Sequence, residues 1–435
     1  MLFRSFGTDG LRGIYGEELT PGLAFKCGNS LSRFCENKKV IIGKDTRVTG
    51  DIILLSVANG LMQNGVNVIN VGVLSTPAIA FLTRKLKCDY GIMISASHNP
   101  PEYNGIKIFD KDGYKIGEQQ EADIERKFMF PASVPFSKIG HYQFSPTLLK
   151  LYLNNITLDI GDLGGLKIVL DCGNGACGKY AKAIFKKLNA KVLSLNDKTD
   201  GLSINGGCGA LYPNVIADVV RQKHYDLGLS FDGDGDRIIA CDENGKIVDG
   251  DDILYVLSSF YKNCSQIVGT SMTNKGLENA LEKKGCVLYR ADVGDKYVIE
   301  IMKNKNNLLG GEPSGHIILK SHSTTGDGLL VGLNLAKIIK NSKKPLSKLV
   351  NYKKFPQINI NIKVVDKFRI LNSEKLTKTI LSYKQEFKDN GRILVRASGT
   401  ENKIRIMCEH RNKNTALACA QELERMVNEI NSAGN

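Results

Sequence analysis

The sequence lacks the features that mark membrane-spanning and secreted proteins. Its 435 residues contain no uninterrupted apolar stretch long enough to cross a bilayer. The first residues, MLFRSFGTDG, show neither the apolar core nor the small-residue cleavage site of a signal peptide. The eleven cysteines are an odd number and include no CxxC pair, which indicates reduced thiols. We therefore expect a cytoplasmic protein that does not contact a membrane.

A nucleic-acid-binding motif is also absent, although the formal net charge is +14. The lysines are scattered along the chain in pairs such as Lys186-Lys187 and Lys343-Lys344, rather than massed in one patch. We therefore expect most of the positive charge to come from surface lysines that bind nothing specific, and the rest to favour a small phosphorylated ligand. We expect no nucleic-acid partner.

One pattern occurs three times, beginning at Val40, Leu166 and Gln266. Each copy has an apolar β-type run, a Gly/Asn/Thr-containing turn, an amphipathic helix and a second apolar run. Strand–helix–strand order with short links is typical of parallel α/β units, and three copies predict three similar domains.

The pattern of apolar and polar residues changes after about Pro356. The run ININIKVV alternates apolar and polar residues with a period of two, as a half-buried antiparallel strand does. Helix and strand patterns follow, which predict a small C-terminal α+β domain. The predicted boundaries are 1–155, 156–250, 251–360 and 361–435.

Four loops carry residues suited to chemistry, and the first is Ile94-Ser-Ala-Ser97-His98-Asn-Pro100. It follows an apolar run, and open α/β sheets place their sites at such strand ends. A simple Asn-Pro turn explains the same residues. No GxSxG elbow surrounds Ser97, which disfavours a hydrolase triad. Lys107 brings a cation back towards the loop, as a phosphoryl acceptor requires.

The second loop places Asp232, Asp234 and Asp236 at alternate positions separated by glycines. Three such carboxylates can turn inward on one hard divalent cation, and without a cation they would repel one another. A calcium-binding EF-hand is the alternative, with Glu243 as its last ligand, but Arg237 replaces the required glycine and the flanks resemble strands. We expect a catalytic Mg²⁺ loop, with Arg237 able to reach a phosphate.

Two further loops are weaker signals when each is taken alone. Gly310-Gly-Glu312-Pro-Ser314-Gly-His316 offers donors and acceptors suited to sugar hydroxyls, although an ordinary polar turn fits equally well. Arg396-Ala-Ser398-Gly399-Thr400, with Arg405 downstream, combines guanidinium groups with hydroxyls and favours a phosphate cradle over a solvated turn.

A fifth segment, Gly173 to Tyr180, resembles a P-loop, because it is rich in glycine, follows a strand pattern and precedes a helix. Tyr180 stands where a P-loop needs a Ser or Thr to ligate Mg²⁺. We interpret this turn as structural.

The four loops, in this order and over the whole chain, resemble those of the α-D-phosphohexomutases. The opening Phe6-Gly-Thr-Asp-Gly-Leu-Arg12-Gly13 and the segment Asp200 to Asn205 are similar to the bacterial phosphoglucosamine mutase branch. The resemblance implies an α/β protein of four domains around a central cleft, three mixed α/β domains and the small C-terminal one. Two departures are Asn402, where the family usually has Pro, and the pair Asp295-Lys296 in place of Asp-Arg.

The resemblance also implies a role for each matching residue. Ser97 would be a phosphoserine that holds Mg²⁺ together with the three aspartates. The other implied catalytic residues are Arg12, His98 and Lys107. The implied substrate-binding residues are Arg237, Asp295, Lys296, Glu312, Ser314, His316, Arg396, Ser398, Gly399, Thr400 and Arg405.

The implied enzyme is an isomerase that interconverts glucosamine 6-phosphate and glucosamine 1-phosphate, with glucosamine 1,6-bisphosphate as intermediate or primer. It would supply the UDP-N-acetylglucosamine pathway, with one Mg²⁺ per active site. A mutase for glucose or mannose phosphates and a non-catalytic sugar-phosphate-binding protein stay open as alternatives. We expect a monomer or homodimer whose partner is a phosphorylated hexosamine.

Overall fold

The computed structural model describes residues 6–7, 10–129, 132–261, 264–398 and 402–432. The chain divides into two compact units, Met1–Thr270 with Tyr289–Val350, and Ser271–Leu288 with Asn351–Asn435. Four sheets, one after another along the chain, organise these units. In the described residues no helix has the length and apolarity that a membrane span requires.

The first sheet has seven strands in the order β1-β2-β6-β5-β3-β4-β7. Its elements are β1 Phe6–Gly7, β2 Gly10–Ile14, α1 Pro21–Leu31, β3 Lys39–Lys44, α2 Gly50–Met62, β4 Asn67–Val73, α3 Thr76–Lys85, β5 Tyr90–Ile94, β6 Tyr103–Phe109, α4 Glu118–Glu125, β7 Tyr142–Phe144 and α5 Leu149–Thr157. The unit β3–α2–β4 is the first predicted repeat, and its two strands pair in parallel. Strand β5 also runs parallel to β3, so both strands end at the same edge of the sheet.

The second sheet has five strands in the order β12-β11-β10-β8-β9. Its elements are β8 Lys167–Asp171, α6 Ala181–Lys187, β9 Lys191–Leu195, α7 Asn214–Lys223, β10 Leu227–Phe231, β11 Ile238–Cys241 and β12 Ile247–Val248. The second predicted repeat, β8–α6–β9, is again a parallel pair. Strands β10 and β11 form an antiparallel hairpin around the aspartate loop.

The third sheet has four strands in the order β14-β13-β15-β16. Its elements are α8 Gly250–Phe260, β13 Gln266–Thr270, α9 Lys275–Glu282, β14 Val287–Ala291, α10 Asp295–Asn304, β15 Leu309–Gly311, β16 Ile317–Leu319, α11 Gly328–Ser342 and α12 Leu346–Leu349. Polar side chains define where its longer helices begin. Asp249 and Asp252 form a capping box at α8, and the carboxylate of Asp327 caps α11.

The fourth sheet is three-stranded and antiparallel, in the order β17-β19-β18. Its elements are β17 Gln357–Lys363, α13 Lys367–Leu371, α14 Glu374–Phe387, β18 Gly391–Ala397, β19 Lys403–His410 and α15 Lys413–Ser432. Ile362, Ile404 and Ile406 on the sheet pack against Leu423 and Val427 of α15. The period-two alternation predicted for β17 is confirmed. Strand β17 spans the predicted boundary between residues 360 and 361. The four predicted domain boundaries stay a proposal.

Candidate active site

Ser97 lies three residues beyond the end of β5, and its side chain is buried. Its backbone is in the left-handed region, with φ of +52°. Its hydroxyl donates to Asp232 Oδ2 over 2.7 Å, and Ser97 Oγ lies 3.3 Å from His98 Nδ1. Left-handed backbone is uncommon for a residue other than glycine, asparagine or aspartate, and strained residues of this kind cluster at functional sites.

Three aspartates form a cluster where β10 ends. Each of Asp232, Asp234 and Asp236 contributes a carboxylate oxygen, and these oxygens all lie within 4.8 Å of one another. Burial, together with the charges of the other two carboxylates, raises the pKa of Asp232 well above its ordinary value. Burial works in the same direction on Asp236, but the positive charges of Lys107, His316 and Arg237 outweigh it and lower the pKa of that carboxyl.

The cluster has the properties that a hard divalent cation requires. Asp234 Oδ1 and Asp236 Oδ1 are buried, and neither has a hydrogen-bond partner among the described residues. A buried carboxylate oxygen left without a donor is costly, and carboxylate oxygens are the ligands that Mg²⁺ and Ca²⁺ prefer. The three aspartates therefore fit a divalent cation.

Cations surround the serine and the aspartate cluster. Lys107 Nζ lies 2.7 Å from Asp234 Oδ2 and 3.1 Å from Asp236 Oδ2. Burial, followed by the nearby charges of Arg237 and Arg12, lowers the pKa of His98 to about 4. His98 is therefore a neutral imidazole at neutral pH.

The predicted sugar loop connects β15 to β16. Glu312 Oε1 accepts from the backbone N–H of Gly294 over 2.9 Å, and Ser314 Oγ donates to Glu312 Oε2 over 3.3 Å. The Ile238 N–H donates to the Gly315 carbonyl over 3.0 Å, and Gly315 has a φ of +91° that favours glycine. Backbone pairing between Arg237 and His316 adds to this contact, so the sugar loop is joined directly to the end of the aspartate loop.

Asp295 and Lys296 begin α10 and line a pocket of about 480 Å³. Asp295 Oδ2 lies 2.5 Å from Lys115 Nζ and 3.6 Å from His316 Nε2. Lys296 forms an ion pair with Glu118. Asp295 thus lies beside His316, and both predicted residues line the adjoining pocket.

The predicted phosphate cradle lies in the second compact unit. Arg396 on β18 pairs with Arg405 on β19 across the sheet. Arg405 Nη2 donates to Ser398 Oγ over 3.4 Å. The structure groups these three predicted residues at the end of the β18–β19 hairpin, whereas Gly399 and Thr400 lie outside the described residues.

Four phosphoglucomutase/phosphomannomutase domain families match the chain in succession. Alpha/beta/alpha domain I matches residues 4–130, domain II 150–245, domain III 249–355 and the C-terminal domain 360–426. The chain belongs to the phosphoglucomutase/phosphomannomutase family. The predicted family and its four-domain fold class, three α/β domains and a small C-terminal one, are confirmed.

Curated relatives of this family cover almost the whole chain. A phosphoglucosamine mutase of Geobacillus kaustophilus (strain HTA426) is 42% identical over 98% of this chain and 98% of that relative. A phosphoglucosamine mutase of Bacillus cereus (strain ATCC 10987 / NRS 248) is 43% identical over 93% and 94% of the two chains.

Solved structures show the same fold. A phosphoglucomutase/phosphomannomutase family protein of Burkholderia thailandensis has a TM-score of 0.84 at 24% identity and covers 99% of this chain and 98% of its own. The Aspergillus fumigatus N-acetylphosphoglucosamine mutase, solved in complex with GlcNAc-6P and magnesium, has a TM-score of 0.68 at 16% identity and covers 99% and 96%.

The turn from Gly173 to Tyr180, which resembles a P-loop in sequence, has a packing role in this member of the family. A Cβ on Gly175 would lie only 2.3 Å from the Gly233 carbonyl oxygen, so the turn packs closely against the aspartate loop. The Tyr180 hydroxyl accepts from the Ser75 N–H over 3.0 Å. The EF-hand alternative also fails, because strands flank the loop and the Glu243 carboxylate binds Ser347.

Sequence reasoning missed three residues of the site. Thr76 donates its hydroxyl to Asp234, and its N–H donates to the Asp234 carbonyl over 2.9 Å. Arg47 and Asn205 bind carbonyl oxygens of the Ser97 loop. Each lies far from its partner in sequence. The Asp-Thr-Arg run after β3 and the family-like segment Asp200 to Asn205 were signals for Arg47 and Asn205, but neither indicated a contact with the Ser97 loop.

Proposed function

We propose that this chain is a phosphoglucosamine mutase, which interconverts glucosamine 6-phosphate and glucosamine 1-phosphate through a phosphoserine at Ser97. The observation that carries the proposal is the 2.7 Å contact between Ser97 Oγ and Asp232 within the buried aspartate cluster. The choice of amino sugar rests on the relatives of that name, which are 42–43% identical over nearly the whole chain.

In the proposed reaction, phospho-Ser97 gives its phosphoryl group to the free hydroxyl of the sugar monophosphate. The P–O bond to Ser97 breaks and a P–O bond to the sugar forms, while the proton lost by the sugar hydroxyl is taken up by the Ser97 oxygen, which becomes a hydroxyl again. The product of this half-reaction is glucosamine 1,6-bisphosphate, which returns its other phosphoryl group to Ser97. Such transfers depend on positioning and on charge stabilisation more than on covalent help from the protein.

Arg12, Lys107 and Arg237 are proposed to stabilise the charge on the transferring group. Lys107 is buried between two carboxylates, a position that suits a fixed cation near phosphoryl oxygens. His98, neutral at neutral pH and 3.3 Å from Ser97 Oγ, is proposed to orient that oxygen through a hydrogen bond, while the serine proton is donated to Asp232.

The cation proposed for the aspartate cluster is one Mg²⁺, held by Asp232, Asp234 and Asp236 together with Ser97. When bound, it would neutralise negative charge on the phosphoryl group. The two buried carboxylate oxygens without a partner support this assignment.

Substrate binding is proposed to use the loops of the third and fourth domains. Glu312, Ser314 and His316 would bind sugar hydroxyls or the ammonium group, with Asp295 and Lys296 at their side. The phosphate that is not being transferred would bind the cradle made of Arg396, Ser398, Gly399, Thr400 and Arg405. A cytoplasmic location and a monomeric or homodimeric state belong to the same proposal.

The decisive experiment is intact-mass spectrometry of the purified protein, followed by peptide mapping. We expect one phosphoryl group on Ser97, acquired from a sugar 1,6-bisphosphate and lost on incubation with glucosamine 6-phosphate. The Ser97→Ala variant should keep its fold and acquire none. An unmodified serine with no turnover, even after priming with a bisphosphate, would overturn the proposal.

A second assay separates the substrates. Turnover of glucosamine, glucose and mannose phosphates is compared in one coupled assay with the same primed enzyme. We expect the largest kcat/KM for the glucosamine phosphate. A larger value for glucose or mannose phosphate would replace the amino-sugar assignment and leave the phosphoserine chemistry intact.

A further inference from the structure

The guanidinium group of Arg47 is fully buried behind the Ser97 loop. Its Nη2 donates to the carbonyl oxygens of Ser97 and Asn99 over 3.0 and 2.8 Å. Its Nη1 donates to the carbonyl oxygens of Pro100 and Tyr103 over 2.5 and 2.8 Å. One side chain therefore binds three carbonyl oxygens of the loop that carries the proposed phosphoserine, and a fourth at Tyr103, where β6 begins.

A second side chain binds two of the same oxygens from the other direction. Asn205 Nδ2 donates to the Ser97 carbonyl over 2.9 Å and to the Asn99 carbonyl over 3.0 Å. Asn205 follows β9 and belongs to the second sheet's domain, whereas Arg47 follows β3 in the first. The Ser97 carbonyl is thus held by donors from two domains.

These contacts explain why Ser97 stays in the left-handed conformation. With a φ of +52°, the Ser97 carbonyl points inward to the two donors while its hydroxyl reaches Asp232. Ser95 contributes as well, because its Oγ accepts from the Ser97 N–H over 2.8 Å and donates to Asp45 over 2.6 Å. A strained residue persists only where several contacts hold it in place, and here both the N–H and the carbonyl of Ser97 are hydrogen-bonded.

We infer that Arg47 and Asn205 are positioning residues for phosphoryl transfer, which hold Ser97 Oγ in line with the aspartate cluster by binding the Ser97 and Asn99 carbonyl oxygens. The inference rests on the proposed function, since it concerns the same serine. It adds that docking of the second domain on the first, through Asn205, is required for a reactive serine.

Asn205 is the better residue to test, because it is uncharged and its own backbone is left-handed, with a φ of +58°. Glycine and aspartate both tolerate that conformation, so neither substitution adds backbone strain. Asn205→Gly removes the two hydrogen bonds. Asn205→Asp keeps the shape but turns a carboxylate oxygen towards two carbonyl oxygens.

The measurement is the rate at which Ser97 acquires a phosphoryl group from glucose 1,6-bisphosphate, followed by intact mass in a single turnover. Misplacement of a reacting group by about 1 Å costs on the order of 100-fold in rate. We expect that loss for Asn205→Asp, a smaller loss for Asn205→Gly, and a KM for glucosamine 6-phosphate within about 3-fold of wild type. Arg47→Lys, which keeps the charge but reaches fewer oxygens, should lie between wild type and Asn205→Asp.

Asn64→Asp is the matched control. Asn64 is buried in the same domain, and its Nδ2 donates to the Asn29 carbonyl over 3.2 Å and to Ser32 Oγ over 2.8 Å. It precedes β4, whereas Ser97 follows β5, and these strands run in the same direction. The control should therefore lower the melting temperature without slowing phosphoryl acquisition per folded molecule.

The outcomes are distinguishable. If wild type acquires the phosphoryl group and both Asn205 variants acquire it at the wild-type rate, the inference is wrong and the proposed function stands. If the Asn205 variants slow only as much as Asn64→Asp does, in proportion to lost stability, the inference is also wrong. If wild type acquires no phosphoryl group at all, the proposed function fails and the inference fails with it.

Discussion

Lys107 Nζ lies 2.7 Å from Asp234 Oδ2, and both side chains are buried. The same nitrogen lies 3.1 Å from Asp236 Oδ2, so one ammonium group bridges two of the three carboxylates. Asp234 and Asp236 nevertheless each keep one buried oxygen without a partner in the described chain. This combination of a fixed cation and open carboxylate oxygens suits an exchangeable divalent cation.

Replacing Lys107 by Met should make stability depend strongly on a divalent cation. Removing one partner of a buried ion pair costs about 3–5 kcal/mol, because the remaining charge is left uncompensated. We therefore expect a lower melting temperature in EDTA, and a larger rise on adding Mg²⁺ than wild type shows. Differential scanning calorimetry with and without Mg²⁺ measures both.

The control for this substitution is Lys44→Met. Lys44 pairs with Asp51 over the same 2.7 Å, but the Asp51 side chain is 67% exposed. Exposed pairs contribute about 0–1 kcal/mol, so this variant should differ little from wild type in either buffer. Equal responses of the two lysine variants to Mg²⁺ would contradict the electrostatic argument.

Gly175→Ala should impair phosphoryl transfer without touching any charged group. Its Cβ would lie 2.3 Å from the Gly233 carbonyl oxygen, so the aspartate loop has to move. Because a displacement of about 1 Å at a reacting centre costs on the order of 100-fold, we expect kcat to fall by that amount. Gly22→Ala, whose Cβ would meet only Thr20 Oγ1 at 3.9 Å, should retain full activity. Comparable losses in both variants would show that the close approach is irrelevant.

Much of the fold could be predicted because its elements have strong local periodicity. The repeats beginning at Val40 and Leu166 are parallel strand–helix–strand units, and β17 alternates as its sequence indicates. The aspartate loop could also be predicted, because alternating carboxylates and glycines after an apolar run are typical of a cation-binding loop.

The support behind the site could not be predicted, because it depends on long-range contacts. Arg47 binds the Ser97 carbonyl 50 positions away, and Asn205 reaches it over 108. Arg47 lies in a polar run after β3 and Asn205 ends a family-like segment, but neither pattern indicates that these side chains bind the Ser97 loop. The central cleft stays a prediction, as do the roles of Asp295 and Lys296.

Glu312→Gln should weaken use of the sugar substrate. Glutamine can still accept from the Gly294 N–H, but it replaces the second carboxylate oxygen by an amino group and removes the charge. Hydrogen bonds to charged groups contribute about 1.5–3 kcal/mol, which corresponds to a loss of roughly 10- to 100-fold in kcat/KM for glucosamine 6-phosphate. Steady-state kinetics measures this loss, and intact mass should show Ser97 phosphorylated as in wild type.

Asp226→Asn serves as the control for the glutamate variant. Its Oδ2 accepts from the Lys167 N–H over 2.7 Å, so the change in chemistry is the same. It precedes β10, at the opposite end of that strand from the aspartate cluster. An equal fall in kcat/KM for both variants would remove Glu312 from the substrate site.

Asp327 should give the protein a pH-dependent stability that Asp327→Asn abolishes. Burial raises the pKa of Asp327 to about 7, although its carboxylate accepts from the Leu330 N–H and from the Tyr152 hydroxyl. An unfolded aspartate has a pKa of about 3.9, so between these two values the folded state holds a proton that the unfolded state releases. The stabilising contribution is therefore fully present below about pH 4 and is lost as the pH rises through about 7.

Asparagine at this position still accepts from Leu330 and Tyr152 but carries no titrating proton. The free energy of unfolding of Asp327→Asn should therefore rise relative to wild type by up to about 1.4 kcal/mol per pH unit between pH 4 and 7, and stay constant above about pH 8. Urea unfolding of both proteins across this range measures the difference, in which the titration of all other groups cancels. Since the Asp327 carboxylate caps α11 in either protonation state, a difference that does not change with pH would mean that its ionisation is not linked to folding.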